Sequence, residues 1–110
     1  MADDDALAAS IRTLLVDVAR ERRTLTYDDL VAAAPDARHD VAPLLRRIST
    51  GSDEAGNGLL SAVVVRADTG LPGTGFFTLA AERGRDVSDR QAAWEREVAA
   101  VYAAAAKLAG

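Results

Sequence analysis

The sequence predicts a small α+β domain of three helices, an apolar strand pair and a long closing helix. Three observations carry this. Apolar residues recur at helical spacing over residues 5–22, 27–34 and 41–50. The run "LLSAVVVR", residues 59–66, is β-branched, apolar and bounded by turn residues, as a buried strand is. A second long helical period, from residue 88 to about 108, ends the chain.

The elements follow in order. Leu7, Ile11, Leu14, Leu15 and Val18 make one stripe of the first helix, with Asp3 to Asp5 at its positive end and Arg20, Arg22 and Arg23 at its negative end. Thr26, with Asp29 three residues on, is a capping-box start for a short second helix that buries Tyr27, Leu30 and Val31. Pro35 stops it. Asp40 caps a third helix, with Pro43 in its first turn, where a missing N–H costs little. Its apolar face is Val41, Leu44, Leu45 and Ile48, and Arg46 and Arg47 fall on the other side. Residues 50–58 read as loop, leaving Asp53 and Glu54 without an evident partner. After strand 59–66, the loop "ADTGLPGTG" reads as a hairpin tip. Phe76 and Phe77 favour a second strand over 76–79, although "LAAERG" also suits a helix stopped by Gly84. Ser88 and Gln91 form a second capping box, opening the final helix with its stripe of Trp94, Val98, Val101, Ala105 and Leu108.

The 110 residues argue for one domain, 1–110, divided into a core of 1–87 and a C-terminal helix of 88–110. The absence of cysteine excludes disulfides, thiolate chemistry and cysteine-ligated zinc. The acidic start "MADDDALAAS" does not read as a secretory signal, and no apolar run approaches 18 residues. A cytoplasmic protein with no membrane partner is expected. A formal net charge of −4 disfavours broad nucleic-acid binding. Twelve of the thirteen basic residues are Arg beside abundant Ala, the mark of GC-rich coding, so the Arg excess is not by itself a nucleic-acid signal.

No enzyme constellation emerges. Gly70 and Gly75 have the spacing of a phosphate loop, but Phe76 and Phe77 stand where that loop needs its Lys and its Ser or Thr. His39 is the sole histidine, and Asp36 and Asp40 beside it are ordinary helix punctuation. Asp28 and Asp29 are adjacent, so they point apart on a helix. No catalytic residue, metal site or cofactor is expected.

What remains is architectural. Three helices before an apolar hairpin look like a winged helix-turn-helix. The stretch "RRTLTYDDLVAAAPDARHDVAPLLRRIS", residues 22–49, is similar to the DNA-binding domain of alkyltransferase-like proteins, in which a TY-x-x-L segment opens the second helix. The Pro-Cys-His segment of the alkyltransferases has no counterpart, which excludes alkyl transfer. The resemblance implies a non-enzymatic module that sets its third helix in the major groove of double-stranded DNA and its wing on the backbone. The residues for this are Arg38, His39, Arg46 and Arg47, with Arg66 at the start of the wing. The alternative is a protein-interaction module, an adaptor or inhibitor, which the negative charge favours. A homodimer through the final helix is also expected, because its stripe outruns so small a core.

Overall fold

The computed structural model describes residues 2–108; Met1, Ala109 and Gly110 of the expected domain lie outside the described residues. Helix α1 (Ala2–Arg20) is followed by a two-residue strand β1 (Leu25–Thr26), then α2 (Tyr27–Ala33) and a 3-10 turn at Pro35–Ala37. Next come α3 (Val41–Glu54), a second 3-10 turn (Leu60–Val63) and strand β2 (Val64–Val65). Helices α4 (Thr74–Glu82) and α5 (Arg90–Leu108) complete the described chain.

The first half forms as its residues dictate. Thr26 accepts from the Asp29 N–H and the Asp29 carboxylate accepts from the Thr26 N–H, so the capping box at α2 is complete. Leu30 is fully buried. On α3, Leu44, Leu45 and Ile48 are buried while Arg46 and Arg47 are exposed, the expected register.

The second half overturns the expected winged helix. The chain is 70% helical, and its strands form only a two-stranded parallel pair, Leu25 beside Val64 and Thr26 beside Val65. There is no hairpin and no wing among the described residues. Residues 76–79 are helical, within α4. Phe76, Phe77, Leu79 and Ala80 are all buried, a helical i, i+1, i+3, i+4 face; a strand would turn one of two adjacent Phe outward. Gly84 stops the helix at φ 88°, with the Arg85 N–H returning to the Ala80 carbonyl and the Gly84 N–H to that of Ala81. With no hairpin neighbour, the run 59–66 narrows to a buried thread. Leu59 to Val65 are all buried; the 3-10 turn Leu60–Val63 packs against α1, α3 and α5, and only Val64 and Val65 find a strand to pair with.

Three smaller expectations also change. Asp40 stands at the N-cap of α3, but its side chain makes no capping bond. The second capping box does not form. Asp89 caps α5 by accepting from the Ala92 N–H, Ser88 bonds to Asp86, and Gln91 reaches Glu95. The expected loop 50–58 begins later, because α3 runs on to Glu54.

Helix α5 covers the core itself. Val98, Val101 and Ala105 are buried, and Trp94 donates its indole N–H to the Ala62 carbonyl at 2.9 Å. The stripe expected to join two copies is therefore used within the chain, and only Leu108 at its end is exposed.

Candidate functional site

An apolar cavity of about 450 Å³ opens between α2, α3 and the start of α4. Tyr27, Leu45 and Phe76 line it, with Ala42 and Pro43 of α3 toward its mouth. Arg46, Ser61, Gly73 and Gly75 are its polar or backbone wall. The volume falls within the range of small-ligand sites.

Local sequence explains the shape. Pro43 takes the first turn of α3, so this end of the helix carries small or ring side chains. Gly73 is the N-cap of α4 and offers no side-chain cap. A Cβ there would meet the Tyr27 hydroxyl at 3.3 Å, so a glycine lets that ring approach. The Tyr27 hydroxyl accepts from the Gly73 N–H at 2.9 Å, tying α2 to the entry of α4. On the wall, Ser61 is 6% exposed. Its N–H donates to the Ser49 hydroxyl at 2.8 Å, and the two hydroxyls lie 2.6 Å apart. Two hydroxyl protons share this one contact, so one has no acceptor among the described residues.

Behind this wall lies a charge network. Arg85 grips Asp53 with two bonds of 2.7 and 2.9 Å, and Glu97 with two of 2.9 and 3.0 Å. Arg83 also binds Asp53. Glu97, buried, accepts from the Leu59 N–H at 2.9 Å, two residues before Ser61. Hydrogen bonds from Arg85 pull the Asp53 carboxyl down to about 2, against the opposing effect of burial, and Arg83 adds to the pull. Asp53, expected to have no partner, is thus a structural anchor at the end of α3.

The five residues expected to meet DNA do not form one face of free charge. Arg38 and His39 are exposed between the first 3-10 turn and α3. Arg46 pairs with Glu82 of α4, and Arg47 with Asp5 of α1. Arg66 grips Asp68 at 2.8 and 3.0 Å in the turn after β2, where a wing was expected. The glycine-rich loop ends on a helix, not on a second strand, and the two phosphate-loop ligands remain replaced by Phe76 and Phe77.

Sequence reasoning missed Ser61, Tyr27 as a cavity residue and the Asp53–Arg85–Glu97 network. The one signal available was "GLPGTGFF": a proline and three glycines before two phenylalanines suit a tight approach to a helix as well as a hairpin tip. No group of three or more potential metal-ligating side chains converges among the described residues. Likewise, no helix among them is long and apolar enough to cross a membrane. Compared with known proteins, the chain matches no family model, no curated protein and no solved structure.

Proposed function

We propose that the chain is a non-enzymatic protein-interaction module whose cavity between α2, α3 and α4 receives an apolar side chain of a partner. The observation that carries this is the cavity itself: it is apolar, open, and walled by α2, α3, the second 3-10 turn and α4, with the Tyr27–Gly73 bond tying α2 to the entry of α4. The charge arrangement supports the same reading. Three of the five residues suited to phosphate already have a carboxylate beside them, and the net charge is −4.

The test is selection of a random displayed-peptide library on the folded protein, with Ala42→Arg as the blocked control. Ala42 is exposed at the mouth of the cavity, so a long side chain there closes it without disturbing the core. Enriched peptides should share an apolar anchor and lose at least tenfold in affinity on the variant. Peptides that bind both proteins equally, or no enrichment, reject the reading.

Duplex DNA is the second reading, favoured by exposed Arg46 and Arg47 on one helix with Arg38 and His39 at its entry. Their carboxylate partners are themselves exposed, and solvent-screened pairs of this kind contribute little, so phosphates can displace them. On this reading Arg46→Ala and Arg47→Ala each lower the salt-dependence slope by roughly one. Binding that ignores both substitutions rejects it.

A further inference from the structure

The cavity's polar groups carry more donors than acceptors among the described residues can take up. The Tyr27 hydroxyl already accepts from the Gly73 N–H, and its own proton has no acceptor among the described residues. The Ser49–Ser61 pair, buried at the wall, holds one more proton with none. The N–H of Gly75, a lining residue in the first turn of α4, also lacks an acceptor among the described residues, as does that of Thr74 beside it, and no side chain caps that helix. Arg46 stands at the rim. By contrast, the Gly73 carbonyl is taken by the Phe76 N–H. The site is apolar in its body and offers donors. A ligand that brings acceptor oxygens to these donors is the complementary one.

We propose that the cavity binds the C-terminal residue of a partner protein, with an apolar last side chain in the pocket and the terminal carboxylate on the α4 N-terminus, the Ser61 wall and Arg46. This rests on the interaction-module reading above and narrows it. A chain terminus delivers an apolar side chain and, on the adjoining carboxylate carbon, two acceptor oxygens. An internal residue continues instead into another peptide N–H, one more donor set among groups that already donate. The carboxylate meets the positive end of the α4 dipole. It also shares Arg46 with Glu82; both partners in that ion pair are about half exposed, so the pair yields at small cost. Backbone capture of a terminal carboxylate beside an apolar pocket is an established mode of peptide recognition.

The experiment titrates the unaltered protein, followed by amide NMR, with a hexapeptide ending in phenylalanine, as the free acid and as the C-terminal amide, and with N-acetylphenylalanine. The free acid should bind at least tenfold tighter than the amide and should move the Thr74, Gly75 and Ser61 signals. Ser61→Ala should weaken the acid severalfold and leave the amide unchanged. If that variant does not fold, the acid-to-amide ratio on the unaltered protein still decides. Equal binding of acid and amide, lost on Ala42→Arg, overturns the carboxylate assignment while the apolar docking reading stands. Binding of neither peptide overturns both. N-acetylphenylalanine binding as tightly as the hexapeptide makes the ligand a small acid and overturns the protein terminus.

Discussion

At the residue scale, two glycines make opposite predictions from the same substitution. Gly51 lies inside α3, and a Cβ there would meet nothing within 4 Å. Gly51→Ala removes backbone freedom from the unfolded chain without a clash, so it should stabilise the fold by about 0.5–1 kcal/mol. Gly58 stands at φ 79°, and a Cβ would meet Glu97 Oε2 at 3.1 Å and Val101 Cγ2 at 3.2 Å. Gly58→Ala adds a left-handed strain of about 1–2 kcal/mol to that crowding and should destabilise. Urea melts of both variants check the pair, and the sequence alone does not separate them. Gly51 was legible only as part of a loop, because "TGSDEAGNG" is rich in turn residues. The helix continues through it because Ser49 and Ser52 are buried on the inner face of α3.

At the element scale, the Asp53–Arg85–Glu97 network joins the end of α3, the loop before α5 and α5 itself. It also holds the Leu59 N–H, and so the thread that carries Ser61. Asp53→Asn removes a charged acceptor from two partly buried guanidinium groups. It should cost about 2–3 kcal/mol at pH 7, within the range for hydrogen bonds to charged groups. The pH dependence has a definite sign. The folded Asp53 carboxyl titrates at about 2, below the unfolded value of roughly 3.9. Its contribution is therefore fully present above the unfolded value and is lost as pH falls through about 2. Urea melts between pH 2 and 7 should show the native protein approaching the Asp53→Asn variant at the acid end. A constant gap would remove Asp53 as the titrating group.

At the scale of the whole molecule, α5 decides between self-association and self-coverage. Val101 is 1% exposed in the core that α5 shares with α1 and the thread after α3. Val101→Asp buries an unpaired carboxylate and should abolish cooperative unfolding, where a dimer seam would merely come apart with the helices intact. Circular dichroism melts distinguish the two. Sedimentation equilibrium of the unaltered protein at tens of micromolar should show a monomer. A dimer that Val101→Asp separates into folded monomers would return the stripe to the surface.

Helix content in the first half was determined by the sequence alone, because its signals are local. The Thr26–Asp29 box, Pro35, Pro43 and the Leu44–Leu45–Ile48 face act within one or two turns, and each element stands within a few residues of its expected span. Tertiary structure decided the second half. "LLSAVVV" and "FFTLA" are apolar enough for strand or helix, and a strand exists only where another strand lies beside it. Once α4 buried both phenylalanines on one helical face, residues 59–63 had no strand partner and became a thread through the core. The same packing brought Tyr27, Ser61 and Gly75 together from positions 34 and 14 residues apart along the chain. No local pattern encodes that meeting, so the cavity became visible only when the helices closed around it.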